Sequence, residues 1–237
     1  MTDYNNELEE SILLEDLAPM ANKKAAVVIG RFNPPTKGHY AVIDSVKAFI
    51  RKNKEMNLYA SPIVVIIGGS KSDEDKKKNP LTVSQREAFM KASGHANGVI
   101  FMSAPNAFAA FAKLREEGFE PIAIAAGTDR ASDYIRILDK HFKKPDGSAI
   151  KHTKIHLKRD ETAIEKDKDA KKAAIDSALE TAKSKGSEIE TDAISASLAR
   201  RAVELGYEEE FAHIVGLENK PVLAKKMFKA IKNSLGE

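Results

Sequence analysis

The 237 residues contain no cysteine. That excludes a disulfide framework and any thiolate metal site, and it fits a reducing, cytosol-like compartment. No apolar run approaches the ~20 residues that a membrane span needs. The first residues are acidic and lack the basic start and long apolar core of a signal peptide. Charge of one sign is scarce too. The formal net charge is only +3, with both signs interspersed, too weak a bias to argue for a nucleic-acid partner. Neither a G-x-x-x-x-G-K-[ST] loop nor a G-x-S-x-G elbow occurs. What these absences leave is a soluble, cytoplasmic chain with no membrane or nucleic-acid partner. It is long enough for one sizeable α/β domain.

The richest stretch is Ala25-Ala-Val-Val-Ile-Gly-Arg-Phe-Asn-Pro-Pro-Thr-Lys-Gly-His39. Its apolar, β-branched start predicts a strand buried on both faces. The run breaks at Gly30, passes Pro34 and Pro35, and turns helical from Tyr40, with Val42, Ile43, Val46, Phe49 and Ile50 on one side. A strand–turn–helix unit of this kind presents backbone N–H groups and a helix N-terminus, which suit a phosphate. Gly30 permits a sharp turn and a close ligand. Pro34 and Pro35 fix φ, and Pro34 keeps Asn33 out of the helical region. Thr36 and His39 stand three apart at the helix start, so both side chains can face one ligand. A neutral His39 there could donate to a phosphoryl oxygen. The plainer alternative is a capped βα turn with a surface histidine.

Downstream, β and α patterns alternate. Strands are expected at Pro62–Gly68, Gly98–Met102, Pro121–Ala126 and Thr153–Leu157. Helices are expected at Leu81–Ser93 with Thr82 as N-cap, at Ala107–Glu117 and at Tyr134–Phe142. The alternation predicts a Rossmann-like, doubly wound parallel sheet of about five strands with C-terminal helices. The charged stretch from Gly68 to Pro80 reads as a loop near the site. Residues 1–24 read as an N-terminal extension, 25–216 as the catalytic domain, and 217–237 as a C-terminal helix packed on it. An Ala/Lys/Glu-rich segment at 163–190 reads as a helical insertion with a thin apolar stripe: a loosely packed helix, a lid or an oligomer contact. His152 and His156 are four apart, but they fall on a strand-like alternation with no third ligand, so no protein-held metal is expected.

Gly30-x-Phe32-x-Pro34-x-Thr36-x-Gly38-His39 resembles the G-x-F-x-P-x-(H/T)-x-G-H signature of the nucleotidyltransferase superfamily. Ile194-Ser195-Ala196-Ser197-Leu198-Ala199-Arg200 resembles its second signature, I-S-S-T-x-x-R. The two signatures occur in the family's order. The resemblance implies transfer of a nucleotidyl group from a nucleoside triphosphate to a small phosphorylated acceptor, with release of pyrophosphate. By the same resemblance His39, Thr36 and Arg200 are the catalytic residues. Gly30, Arg31, Phe32, Asn33, Gly38, Ile194, Ser195 and Ser197 hold the nucleotide. The G-x-D-like element Gly127-Thr128-Asp129 adds Gly127 and Asp129, the latter as a ribose contact or a helix cap. Mg²⁺ is expected to arrive with ATP, held mainly by phosphates.

Two details point to a branch. Gly30-Arg31-Phe32 and Asn79-Pro-Leu-Thr-Val-Ser-Gln-Arg86 resemble segments of archaeal-type nicotinamide-nucleotide adenylyltransferases, with Arg31 facing the triphosphate and Arg86 the acceptor. Gln85 stands where that segment has Glu. Thr36 also occurs in the pantetheine-phosphate branch, and CTP-dependent transfer is a further reading. Ala196 and Ser197 depart from the usual Ser and Thr. Ala196, the inserted Ala/Lys/Glu-rich segment and the acidic extension motivate a reading of another class, a retired nucleotide-binding relative or a structural or packaged component, whereas Ser197 keeps the hydroxyl. The motifs also resemble nucleotidyltransferase-like proteins of large tailed bacteriophages, and Leu13-Leu14-Glu15 resembles a head-maturation cleavage site. That implies host cytoplasm or the virion as location. Relatives are commonly oligomeric, which implies a homo-oligomer.

Overall fold

The computed structural model describes residues 23–53, 60–69, 74–126, 131–143, 147–155, 168–185 and 195–236. The expected N-terminal extension, Gly127, Asp129, Ile194 and His156 lie outside them, apart from Lys23 and Lys24.

Five strands form one sheet: β1 (Lys23–Gly30), β2 (Ser61–Ile67), β3 (Ile100–Ala104), β4 (Phe119–Ala125) and β5 (Thr153–Ile155). They lie in the order β3-β2-β1-β4-β5, and every pairing is parallel. Between them run α1 (Lys37–Lys52), α2 (Val83–Ser93), α3 (Ala107–Glu116) and α4 (Ala131–His141). Four more helices follow: α5 (Lys168–Lys185), α6 (Ala196–Glu204), α7 (Glu208–Ile214) and α8 (Pro221–Leu235). This is the doubly wound, Rossmann-like arrangement. The direction of strand progression reverses between β1 and β4. The crevice outside the carboxyl ends of those strands is therefore the place where such sheets take ligands.

β1 shows why the strand reads as continuously apolar. Ala25 to Ile29 are all buried, but they alternate between two cores. Ala25, Val27 and Ile29 pack with Phe111, Leu114 and Leu138 on one face. Ala26 and Val28 pack with Tyr40, Ile43 and Val46 of α1 on the other. The period of two and helices on both faces together demand apolar residues at every position. Ile43 and Val46, both fully buried, each supply about 1.5–3 kcal/mol of transfer free energy to that packing.

A third core is purely helical. Leu198, Ala202, Phe211, Met227 and Ile231 of α6, α7 and α8 enclose it, with Leu81 on its border. Leu179 of α5 is fully buried in the same cluster, so the inserted helix packs more closely than its thin apolar stripe suggests. Other boundaries moved by a few residues. The β5 ladder is three residues long. The helix expected from Leu81 starts at Val83, with Thr82 as its N-cap. Gln85 does the work of the usual Glu there: Thr82 N–H donates to Gln85 Oε1 over 2.9 Å, and Gln85 N–H donates to Thr82 Oγ1 over 3.2 Å. That pair is a complete capping box.

Candidate active site

The turn after β1 is built on the contact between Gly30 and Phe32. Phe32 has a φ of 52°, a left-handed conformation that costs a non-glycine residue about 1–3 kcal/mol. It folds the ring back over Gly30 and buries it. A Cβ on Gly30 would lie 3.0 Å from Phe32 Cζ and 3.2 Å from Cε1. The glycine is required by the phenylalanine, which explains the G-x-F spacing. The same ring meets His39 edge-on, with centroids 5.0 Å apart and an interplanar angle of 66°.

Thr36 is the N-cap of α1 and is fully buried. Its backbone N–H donates to His39 Nδ1 over 3.1 Å, and its hydroxyl oxygen lies 2.9 Å from the same nitrogen. Because Nδ1 accepts from an N–H, it carries no proton in this arrangement. The proton of neutral His39 then resides on Nε2. Histidine thus replaces the usual Glu of a capping box and becomes a donor in the process. Gly38, between them, is buried on α1.

Asn33 and Arg86 tie the turn to the segment leading into α2. Asn33 Nδ2 donates to the Leu81 carbonyl over 2.9 Å, and Leu81 N–H donates to Asn33 Oδ1 over 3.0 Å. Both ends of the Asn33 amide are thereby engaged with main chain. Arg86 is fully buried. Its Nη1 donates to Arg31 O over 2.6 Å and to Ile67 O over 2.9 Å, and its Nε donates to Thr82 O over 3.2 Å. The Arg31 side chain itself is exposed.

The second signature arrives from the other side. Ser195 caps α6, accepting from Leu198 N–H over 3.1 Å. Arg200, one turn along, reaches back to the first signature. Its Nη1 donates to the Asn33 carbonyl over 2.6 Å and its Nη2 donates to Ser197 Oγ over 3.1 Å. Among the described residues no carboxylate forms an ion pair with Arg200. Burial lowers the pKa of its guanidinium, opposed by the charges of Glu204 and Asp75. A half-buried cation with no paired carboxylate among the described residues, beside a turn closed by Thr36 and His39, has the chemistry to meet a polyanion.

The structure therefore brings Gly30, Phe32, Asn33, Thr36, His39, Ser197 and Arg200 to one end of β1, with Ser195 closing α6 nearby. Sequence reasoning missed a second ring of residues. Lys37 Nζ pairs with Glu218 Oε1 at 2.5 Å and lies 3.1 Å from His213 Nδ1. This links the start of α1 to the α7–α8 connection. Arg201 makes a two-pronged pair with Asp176 at 2.6 and 3.1 Å, docking α5 on α6. The neighbour Arg200 signalled only that Arg201 would point elsewhere. Nothing local marked its partner.

A doubly wound sheet with a helix N-terminus and Arg200 at its switch point is an arrangement in which α/β proteins bind nucleotides. The particular family follows from comparison. The cytidylyltransferase-like family matches residues 27–202, well over half of the chain, and the chain belongs to that family. This places it among the nucleotidyltransferases and makes a nucleotide its substrate. A comparison with curated proteins finds no match. No helix among the described residues is long and apolar enough to cross a membrane.

Proposed function

We propose that the chain transfers AMP from ATP to nicotinamide mononucleotide, giving NAD and pyrophosphate. The observation that carries the reading is the 2.6 Å bond from Arg200 to the Asn33 carbonyl. It joins the two signatures into one site. A phosphate oxygen of the acceptor attacks the α-phosphorus of ATP, the bond from that phosphorus to the bridging oxygen breaks, and pyrophosphate leaves with the electron pair. Chemistry of this kind needs positioning and charge stabilisation above all. His39 donates from Nε2 to a non-bridging oxygen of the reacting phosphate, where charge builds. Thr36 holds the imidazole in the tautomer that can do so. Arg200 and Ser197 meet the leaving pyrophosphate, and the exposed Arg31 serves the outer phosphates.

Mg²⁺ would supply further charge neutralisation as part of the ATP complex. Among the described residues no group of three or more His, Asp or Glu side chains is arranged to hold a metal. In this reading Gly127 and Asp129 serve the nucleoside and Ile194 belongs with the second signature; all three lie outside the described residues.

The choice of ATP and of a nicotinamide acceptor rests on Gly30-Arg31-Phe32 and on Asn79 to Arg86. A second reading, CTP as donor with a phospho-alcohol acceptor, draws support from the cytidylyltransferase-like match itself. A pyrophosphate-release screen decides between them. ATP and CTP are each offered nicotinamide mononucleotide, pantetheine phosphate and glycerol phosphate. The proposal expects release with ATP and nicotinamide mononucleotide. Turnover only with CTP, or only with another acceptor, rejects it.

A further inference from the structure

Arg86 is the largest fully buried side chain of the described structure. A cation is costly to bury unless its donors are used. Three of the hydrogen bonds of Arg86 go to main-chain carbonyls, and two of those carbonyls sit at the ends of neighbouring parallel strands. Arg31 follows the last residue of β1, and Ile67 is the last residue of β2. The third, Thr82 O, anchors the guanidinium to the start of its own helix.

The geometry points to Arg86 as a positioning residue for the nucleotide-binding turn, acting on the triphosphate side of the site from beneath it. The peptide unit is planar, so fixing the Arg31 carbonyl fixes the plane that also carries the Phe32 N–H. That peptide enters the left-handed Phe32, the residue on which the turn is built. Two further bonds between Asn33 and Leu81 clamp the next residue but one to the same segment. Arg86 also satisfies these two strand-end carbonyl oxygens and sets a positive charge against the turn. Lysine could keep that charge but not the planar group whose Nη1 serves both strand ends while its Nε bonds Thr82 O. The inference rests on the nucleotidyltransferase reading of the site, but its test does not depend on turnover.

The test compares the unsubstituted protein with Arg86→Lys and Arg86→Met. Inorganic tripolyphosphate binding is measured by calorimetry, and KM for each substrate by pyrophosphate release. The expected result is tripolyphosphate binding weakened about tenfold in Arg86→Lys and more in Arg86→Met. KM for the nucleotide should rise with it, while KM for the acceptor stays within about twofold. A rise confined to the acceptor KM, with tripolyphosphate binding unchanged, overturns the inference and makes Arg86 an acceptor contact. Unchanged behaviour in both variants overturns it too, as does failure of the unsubstituted protein to bind tripolyphosphate. If the unsubstituted protein binds tripolyphosphate and releases no pyrophosphate from any pair, the enzymatic reading fails and the binding comparison still judges Arg86. Should neither variant fold, backbone relaxation of the unsubstituted protein decides. Amide order parameters near 0.85 at Arg31 and Phe32 without ligand are expected, and values below about 0.6 contradict a pre-set turn.

Discussion

Thr36 and His39 are locked together at the mouth of α1 by a main-chain N–H that donates to Nδ1 over 3.1 Å. One bond caps the helix and sets the imidazole tautomer. Removing the ring should cost transition-state stabilisation and little stability, because His39 is only partly buried. His39→Ala is expected to lower turnover by about 10²–10³-fold, the scale for loss of one preorganised donor to a developing charge. Pyrophosphate release at saturating substrate, with circular dichroism as the folding control, checks it. Turnover within threefold of the parent would remove His39 from the chemistry.

Gly30 and Phe32 should behave as a single unit. Gly30→Ala puts a methyl group 3.0 Å from the Phe32 ring, and overpacking of this kind costs about 1–3 kcal/mol. Phe32→Leu removes the ring and should relieve much of that cost, despite its own penalty. Urea unfolding of the two single variants and the double variant gives the coupling. Simple additivity would mean that the ring does not dictate the glycine.

How much of this was legible beforehand varies with distance along the chain. β1, its turn and α1 could be read because every determinant lies within Ala25 to Ile50. Thr82 as N-cap could be read for the same reason. The bonds between the Asn33 side chain and Leu81 were not legible, because the two residues stand 48 positions apart in the chain. That pairing also explains why Leu81 stands outside the helix it was expected to begin. The bonds of Arg86 to Arg31 O and Ile67 O were not legible, because only the folded sheet brings those strand ends together. The docking of α5 was illegible because an Arg201–Asp176 pair leaves no periodic trace.

The Lys37–Glu218 pair should give acid sensitivity. Partial burial pushes the Glu218 carboxyl up. Its bond to Lys37, a main-chain bond and the charges of Lys37 and His213 outweigh that and hold it below the ordinary value of 4.5. A carboxyl depressed in the folded state stabilises above its unfolded pKa and loses that contribution as pH falls through the folded value. The sensitive window therefore lies below pH 4.5. Glu218 is 42% exposed, so the pair is worth less than about 1 kcal/mol. Glu218→Gln should flatten the stability profile below pH 4.5 and leave it unchanged at neutral pH apart from that small offset. An identical acid limb in both proteins would contradict the assignment.

α5 should be part of the folded unit, held by Leu179 and the Asp176–Arg201 pair. Leu179→Ala is expected to destabilise by about 2–5 kcal/mol, as a buried leucine truncation does. Asp176→Asn should cost less and raise amide hydrogen exchange along α5 ahead of the sheet. A Leu179→Ala protein as stable as the parent would show that α5 does not pack where described.

The account stands most directly on the division of labour between the two signatures. Calorimetry of nucleoside triphosphate and monophosphate binding to the parent and to Arg200→Ala tests it. Loss of a charge-assisted contact of about 1.5–3 kcal/mol should weaken triphosphate binding by roughly 10- to 150-fold and leave the monophosphate within twofold. Equal weakening of both nucleotides, or none of either, would contradict a clamp whose Thr36/His39 half holds the reacting phosphate and whose Ser197/Arg200 half holds the pyrophosphate.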